Sequence, residues 1–377
     1  MQKTICITDT QLYSINGGGQ VVVRSLISGL QKNYNIIYIG DSDEFLNYGN
    51  VKTIKPFKSF VYKLGINKMH VLARGIERLC FKLPALSKLI IKNIELNSDV
   101  IISNSTVDYL TLKRNRDVYY KSAVIVKHHP YYKFNQKYPG FIIKGHKFFI
   151  FVENHEEQKR LSKDYGKRVV VVYPPVNIKE KYNKENVAKS LIEKTAGKKV
   201  ILSIGRLSEN QKRFSVAISA MKELTKSGEN FLYLIAGNGP DRERYQNMIN
   251  SLQLQDKVLL LGFINEDEKS FLLSISKAVL IVSDRETFGL SMAEALRFGV
   301  PVISTKTSGS LDFIKNGKNG FLVDGDAKEI SERILCILRL KNKEYDRMRM
   351  NSEKSCSKLK PEIAIKNIKK RIEELLK

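Results

Sequence analysis

Two carboxylates eight positions apart, Glu286 and Glu294, have the most informative spacing in this chain. An apolar run at 277–283, typical of a buried strand, precedes them, and a Phe-Gly turn between them predicts that a helix begins near Gly289. At roughly 1.5 Å of rise per helical residue, the two acids lie about 10 Å apart. Acids that share one glycosidic bond stand roughly 5 to 9.5 Å apart. The spacing therefore favours contacts with two ends of one ligand.

Other polar loops follow apolar strands in the same half of the chain. The run 199–204 leads into Gly205-Arg206 and, six residues later, Lys212. The run 231–236 leads into Gly237-Asn-Gly239, and a third strand ends at Gly262-Phe263-Ile264. Alternating strands and helices predict a parallel sheet with helices on both faces, whose ligands lie at the carboxyl ends of the strands. All of these loops are expected at such ends.

This ordered set resembles the Glu-x7-Glu signature of retaining, nucleotide-sugar-dependent glycosyltransferases of the GT-B fold, in particular family 4. The resemblance covers about half of the chain. It implies an α/β protein of two Rossmann-like, doubly wound parallel-sheet domains that face a central cleft. Residues 1–176 would form the acceptor-side domain, onto which a helix at 361–377 crosses back, and residues 177–360 would bind the nucleotide sugar.

The resemblance also implies roles for individual residues. Glu286 would contact the transferred hexose and Glu294 the ribose, while the backbone N–H groups of Gly289 and Leu290, at a helix N-terminus, would face the diphosphate. Asp312 stands where relatives more often have Glu. The expected donor-binding residues are Gly18, Gly19, Gly205, Gly237, Gly239, Phe263, Ile264, Phe288, Gly289, Leu290 and Glu294.

Cations are needed where a departing nucleoside diphosphate gains negative charge, because fixed positive groups there stabilise the transition state more than the ground state. Arg206 and Lys212 match the Gly-Arg and downstream Lys of the family. The neighbouring Arg213 is an alternative to Lys212. From charge alone, an interpretation as ordinary surface basic residues competes with this one.

The first half of the chain carries weaker signals. Gly17-Gly-Gly19 precedes a helix expected from about residue 20, and glycines before a helix N-terminus allow an anion to approach the backbone. A surface loop is the alternative interpretation. His128, after a strand that begins near residue 123, aligns with a family histidine near the reacting sugar and completes the candidate catalytic set of Glu286, Arg206, Lys212 and His128.

Three other functions fit part of the sequence. Asp41-Ser-Asp43 spells the Asp-x-Asp with which metal-dependent sugar transferases of another fold hold a cation, although the second half fits that fold poorly. A nucleotide-sugar epimerase shares the two-domain architecture. A basic chain could also bind nucleic acid, but no stacking motif, zinc finger or helix-turn-helix signature accompanies the charge. We therefore expect a metal-independent transferase without a cofactor.

Composition narrows the expected number of domains and the expected cellular compartment. The 377 residues suffice for two domains with sizeable cores. No apolar run approaches the roughly 18 residues that a membrane-spanning helix needs, and the start lacks a signal-peptide pattern. The four cysteines show no metal-like spacing, which favours a reduced, cytoplasmic protein.

The formal net charge of +25 exceeds what a sugar-transferring enzyme requires. Residues 52–92 interleave lysines and arginines with phenylalanines and leucines, a pattern typical of segments that bind anionic lipid surfaces. We therefore expect peripheral association with the inner face of the cell membrane, where a lipid-linked or glycan acceptor would be modified. A general lysine bias of the organism is the alternative.

Overall fold

A computed structural model describes residues 2–9, 18–40, 50–54, 98–103, 123–127 and 147–377. The chain divides into two compact units. The first comprises residues 1–175 and 361–377, and the second comprises residues 176–360. Each unit is an α/β structure built on one parallel sheet.

The described strands of the first unit pair in parallel, in the order β3-β2-β1-β4-β5-β6-β7. Their bounds are β1 Thr4–Asp9, β2 Asn35–Gly40, β3 Val51–Ile54, β4 Val100–Ser103, β5 Ala123–Lys127, β6 Phe148–Val152 and β7 Val169–Val171. Its described helices are α1 Gly18–Leu30, α2 His155–Tyr165 and, at the end of the chain, α12 Pro361–Leu376.

The core of the first unit includes the contact between α1 and α12. Ile27 of α1 and Ile368 and Ile372 of α12 are buried in one cluster with strand residues. The two helices approach closely, since a Cβ on Gly29 would lie 2.5 Å from the side chain of Ile365. The C-terminal residues 361–377 therefore pack into the core of the first unit.

The second unit contains a six-stranded parallel sheet in the order β10-β9-β8-β11-β12-β13. The strands are β8 Lys199–Ile204, β9 Phe231–Ala236, β10 Val258–Gly262, β11 Ser276–Ile281, β12 Val302–Thr305 and β13 Gly320–Val323. The helices are α3 Lys189–Thr195, α4 Glu209–Lys212, α5 Phe214–Thr225, α6 Arg242–Ser251, α7 Glu266–Ile275, α8 Leu290–Arg297, α9 Ser308–Phe313, α10 Ala327–Leu338 and α11 Asn342–Ser355.

Burial explains why the second sheet forms. All six residues of β9 are buried, as expected for a parallel strand that helices cover on both faces. Helix α5 packs on α10 through an apolar stripe that includes Ala217, Ile218 and Met221. Because the stripe recurs every three to four residues, it covers one face of the helix and fixes that face against the sheet.

The predicted fold class is confirmed, since both sheets have the doubly wound order in which strands run outward from the centre and then reverse. The reversal lies between β1 and β4 in the first unit and between β8 and β11 in the second. Residues 189–195, for which the sequence pattern predicted no helix, form helix α3. No helix in the described part of the chain is long and apolar enough to cross a membrane.

Candidate functional site

The candidate site lies in the second unit, where the strand order reverses between β8 and β11. These strands pair side by side in parallel, so the loops that follow them leave the sheet at the same edge. Open α/β sheets bind ligands at this position because the loops on either side diverge and leave a crevice. The loop after β8 carries Arg206 and continues into helix α4, which ends at Lys212, and the loop after β11 carries Glu286.

An ion pair joins these two loops across the reversal. The ammonium group of Lys212 donates to Oε1 of Glu286, and the hydroxyl of Ser283 donates to the same oxygen at 2.9 Å. Both ends of the pair are largely buried, with 16% of the Lys212 side chain and 14% of the Glu286 side chain exposed. The structure therefore brings together two predicted catalytic residues that are 74 positions apart in the chain.

Lys212, and not Arg213, occupies this position. Arg213 adopts a left-handed backbone conformation with φ 49°, which separates α4 from α5 and turns its side chain elsewhere. Its guanidinium group lies beside Gly325, about 3.4 Å from where a Cβ on that glycine would be. The Lys212 stem instead lies against Gly205, at 3.2 Å from a Cβ placed there. The alternative assignment of Arg213 is not supported by this arrangement.

Hydrogen bonds hold helix α4 in place. The Glu209 carboxylate accepts from the hydroxyl groups of Ser215 and Tyr245, the latter at 2.8 Å. The backbone N–H of Glu209 donates to Asp241 at 2.8 Å. Burial, with Glu209 nearby, raises the pKa of Tyr245, so its hydroxyl stays a donor across the physiological range. Helix α4 is thus attached to both α5 and α6, and Lys212 is placed by this framework.

Arg206 differs from Lys212 in being exposed. Among the residues that the structure describes, it makes no ion pair or side-chain hydrogen bond. It follows Gly205, whose backbone N–H is held by the carbonyl of Ala236 at 2.9 Å. The predicted cationic pair therefore consists of one cation fixed by an acid and one that projects from the same loop into solvent.

The predicted donor-binding glycines at 237 and 239 are required by contact between loops. Gly237 has φ +136°, and a Cβ there would overlap the carbonyl oxygen of Gly205. A Cβ on Gly239 would overlap the backbone of Leu207. These glycines let the loops after β8 and β9 lie in direct contact. A role of either glycine in donor binding stays a prediction.

Helix α8 begins beside the ion pair. Gly289, with φ 83°, is its N-cap and has no side chain with which to bind the first-turn N–H groups. The N-terminal end of a helix carries a partial positive charge and unsatisfied donors, a combination that suits an anion. The loop before it is fixed from the other side, because Gly309 donates its N–H to the Glu286 carbonyl at 3.1 Å and Phe288 packs edge-on against Phe313.

Glu294, in the second turn of α8, pairs with Lys269 of α7. The Lys269 ammonium group donates to Glu294 Oε1 at 2.9 Å and lies 3.0 Å from Glu266. Burial raises the pKa of Glu294, although Lys269 opposes the shift. Burial tends to lower the pKa of Lys269, but its two acid partners outweigh this effect and raise it. Sequence reasoning missed Lys269, because nothing in its local pattern indicates a partner 25 residues away.

The predicted donor-binding residues Phe263 and Ile264 follow directly after β10. Phe263 is 75% exposed and Ile264 partly buried. The carbonyl of Gly262 accepts from Gly237 N–H at 2.7 Å, which joins this loop to the glycine turn. A cavity of about 370 Å³ adjoins Phe263 and Ile264 along the free edge of β10, with α3 on its far side. The position is compatible with the predicted role, which stays a prediction.

Several sequence predictions concern other parts of the chain. His128, Asp41 and Asp43 lie outside the described residues, as does 55–92 of the basic segment 52–92. Gly18 and Gly19 form the first residues of α1, whereas a loop was expected there. Within the described ranges, no group of three or more His, Cys, Asp or Glu residues is arranged to hold a metal ion.

Comparison with known proteins shows that this chain is similar to glycosyltransferases in the region of the candidate site. The family model described as Glycosyl transferases group 1 matches residues 184–355, which carry most of the site. The 2-deoxystreptamine N-acetyl-D-glucosaminyltransferase of Niallia circulans is 34% identical over 143 residues, which are 38% of this chain and 36% of that protein. The putative colanic acid biosynthesis glycosyltransferase WcaL of Escherichia coli K12 is 33% identical over 147 residues, 37% of this chain and 36% of that protein. The chain thus matches about a third of the length of these curated relatives.

The similarity in fold extends over the whole chain. The crystal structure of HepE from Anabaena, solved in complex with UDP and glucose, superposes with a TM-score of 0.75 at 16% sequence identity. The superposition covers 99% of this chain and 100% of HepE. Identity this low shows the fold alone. The protein therefore has the GT-B fold, and its second unit is similar in sequence to the group 1 glycosyl transferases.

Proposed function

We propose that this protein is a retaining glycosyltransferase of family 4, which moves a hexose-type sugar from a nucleotide-sugar donor to a glycan or a lipid-linked acceptor. The observation that carries the proposal is the buried contact of Lys212 with Glu286 across the strand reversal, next to the uncapped start of α8. The similarity to WcaL, a putative colanic acid biosynthesis enzyme by name, supports a role in glycan assembly.

The donor would bind with its diphosphate between two sources of positive charge. Lys212 has three N–H donors, and Glu286 occupies one of them, which leaves two for phosphate oxygens. Arg206 and the first-turn amides of α8 would contact the same group. Glu286 would orient Lys212 and also accept from a sugar hydroxyl. Because HepE was solved with UDP and glucose, UDP-glucose is the first donor to test.

The proposed reaction is a front-side displacement. The bond between the anomeric carbon and the diphosphate oxygen breaks, and its electron pair goes to the departing diphosphate. The acceptor oxygen bonds to the same carbon from the same face, so the anomeric configuration is retained. The acceptor proton passes to a phosphate oxygen of the leaving group. Arg206, Lys212 and the helix start stabilise the charge that develops on the diphosphate.

A thermal-shift screen tests the proposal directly. Nucleoside diphosphates and their sugars are added in turn, and a ligand that binds only the folded protein raises the unfolding temperature. We expect one base to be selected, and incubation of its nucleotide sugar with an acceptor extract to release the diphosphate and leave the sugar on a second molecule with retained configuration. Absence of any stabilisation by any of these compounds would contradict the proposal.

The same product analysis addresses the epimerase alternative. An epimerase would alter the sugar without a sugar-bearing second product, whereas a transferase needs an acceptor. The relatives named above are transferases, so the epimerase is not favoured. We also propose that no metal is required, because Arg206 and Lys212 supply the positive charge. Activity that survives a chelator, and that is insensitive to replacement of Asp41, would agree with this part of the proposal.

Membrane docking through residues 52–92 remains a proposal from the sequence pattern and the net charge of +25. Flotation with liposomes tests it. We expect the protein to float with vesicles that contain anionic lipid and to remain at the bottom with neutral vesicles. Equal behaviour with both would remove the proposal without affecting the transferase assignment.

A further inference from the structure

We propose that Lys269 is a positioning residue of the nucleotide site, which holds the Glu294 carboxylate as an oriented anion ready to accept hydrogen bonds from the two ribose hydroxyls. This inference rests on the proposed function, because it takes the contact of Glu294 with the ribose from that function. What it adds is the residue on α7 that makes the contact possible.

The geometry around Glu294 is one-sided. Oε1 accepts from Lys269 at 2.9 Å, whereas no group in the described part of the chain donates to Oε2. Only 13% of the Glu294 side chain and 15% of the Lys269 side chain are exposed, so the pair is fixed within the protein. The second oxygen is therefore available to a ligand, while the first keeps the carboxylate in one orientation.

Lys269 is itself held in place. Its ammonium group is shared between Glu294 and Glu266, and Glu266 is 67% exposed at the start of α7. That helix follows Phe263 and Ile264 directly and begins with a capping box formed by Asn265. Lys269 therefore links the segment that carries the predicted donor-binding residues Phe263 and Ile264 with the acid expected to bind the ribose.

Among the residues that the structure describes, Lys269 is the cation that pairs with Glu294. Burial raises the pKa of Glu294, Lys269 lowers it and Glu266 raises it further. Other charged side chains near α8 make different contacts. Arg297 donates to the Val176 carbonyl and pairs with Glu180, and Arg349 of α11 donates to the Phe298 carbonyl. Glu353 of α11 lies beside Gly299, and Lys277 of β11 lies over the Tyr345 ring. Lys269 is thus the group that opposes the effect of burial.

The ribose requires an ionised partner. Its 2′ and 3′ hydroxyls can both donate to a carboxylate, whereas a protonated carboxylic acid has lost part of its accepting capacity. Without Lys269, Glu294 would keep its proton to a higher pH. Binding of the ribose would then weaken at pH values where Glu294 keeps its proton and recover as the pH rises and Glu294 ionises.

The test compares Lys269→Met with the unaltered protein by titration calorimetry. UDP is the probe, replaced by GDP or ADP where the thermal-shift screen selects one of them, and the pH runs from about 6 to about 9. We expect Lys269→Met to bind UDP about tenfold more weakly at the lower end and to approach the unaltered protein at the upper end. The phosphate of UDP titrates equally in both experiments and cancels in the ratio.

Matched controls separate positioning from a general loss of charge. Lys199→Met removes a lysine that pairs with Glu229 at 2.7 Å at the opposite end of the same sheet, and should leave UDP binding unchanged. Lys269→Arg should bind UDP about as tightly as the unaltered protein, since it keeps the cation. The 2′,3′-dideoxy analogue of UDP should bind both proteins equally at every pH. In a Glu294→Gln background, Lys269→Met should have no further effect.

The outcomes separate this inference from the proposed function. Failure of the unaltered protein to bind any nucleoside diphosphate would overturn the proposed function. Tight UDP binding that Lys269→Met leaves unchanged across the pH range would overturn this inference alone. Should Lys269→Met not fold, Lys269→Gln takes its place, and the same pH-dependent loss is expected because the cation is again absent; a pH-independent affinity in that variant would overturn the inference.

Discussion

The two ends of the second sheet contain similar lysine and glutamate pairs, yet the acids respond in opposite ways. At the amino end Lys199 lies 2.7 Å from Glu229, and hydrogen bonds from Lys199 and Arg339 lower the pKa of Glu229. At the carboxyl end Lys269 lies 2.9 Å from Glu294, and burial raises the pKa of Glu294. Contact distance alone does not explain the difference.

Burial of Glu294 explains most of the difference, and the second neighbours of the two pairs add to it. Glu229 lies between two cations, whereas Lys269 lies between two acids, Glu294 and Glu266. Both neighbours of Glu229 stabilise it as an anion, whereas Lys269 opposes the effect of burial on Glu294. Perturbed acids of the second kind concentrate at functional sites. The comparison therefore agrees with a structural role for the pair at the amino end and with the ligand site proposed at the carboxyl end.

The largest expected effect comes from the cations at the carboxyl end. Arg206→Ala or Lys212→Ala should lower turnover by about 100-fold or more, because each removes charge that stabilises the leaving diphosphate. Steady-state kinetics with the selected nucleotide sugar measures this. The control is Lys199→Ala at the amino end, which should leave turnover nearly unchanged. An equal loss of turnover in the Lys199 variant and in the Arg206 or Lys212 variant would contradict the different roles of the two ends.

A second contrast concerns the glycines. Gly237→Ala should lower the free energy of unfolding by more than about 3 kcal/mol, because φ +136° disfavours any side chain and a Cβ would overlap Gly205. Gly228, before β9 at the amino end, has φ +73° and open space around it, so Gly228→Ala should cost only about 1 kcal/mol. Urea denaturation measures both. Similar losses would show that the backbone angle, and not the contact between loops, decides.

The opposite pKa shifts predict opposite pH dependences. Glu229 has a lowered pKa, so its contribution to stability is present above the usual value of 4.5 and is lost as the pH falls through the folded-state pKa. Glu294 has a raised pKa, so its contribution is greatest below 4.5 and declines as the pH rises through the folded-state pKa. We expect Glu229→Gln to be more destabilising at neutral pH than in acid. Glu294→Gln should be less destabilising at neutral pH than in acid.

Denaturant unfolding of both variants beside the unaltered protein, at a series of pH values, measures these differences. Parallel pH profiles for the two variants would show that the two acids have equivalent surroundings and would contradict the comparison.

The smallest expected effect concerns Asp267, which shares helix α7 with Lys269 but stabilises structure. Hydrogen bonds with Lys179, Asn186 and the backbone of Asn183 lower its pKa to about 2. Its contribution is therefore present above the usual value of 3.8 and lost as the pH falls through about 2.

Asp267→Asn should accordingly speed hydrogen exchange of residues 183–187 at neutral pH and reduce the acid-dependent change in stability. Asp256→Asn, at an exposed position, is the control. Unchanged exchange in the Asp267 variant would mean that the segment is held by its other contacts.

Sequence reasoning located the strands of the second unit well. The bounds of β8 and β9 agree with the expectation because each is a largely apolar run that is followed by glycine. The start of α8 was expected at Gly289, and that residue is the N-cap. Helix α3 was not expected, since its lysine-rich sequence has little apolar periodicity. The sequence favoured Lys212 but left Arg213 open as an alternative, because the choice depends on a left-handed turn at Arg213.

The sequence by itself determined the alternation of strands and helices, the parallel sheets and the two acids eight positions apart, because each depends on residues that are near one another in the chain. Only the tertiary structure decided which cation meets which acid. Lys212 reaches Glu286, and Lys269 reaches Glu294, across separations of 74 and 25 residues. Such pairs are set by strand order and helix packing, which bring distant loops to one edge of the sheet, and no local pattern of residues encodes that arrangement.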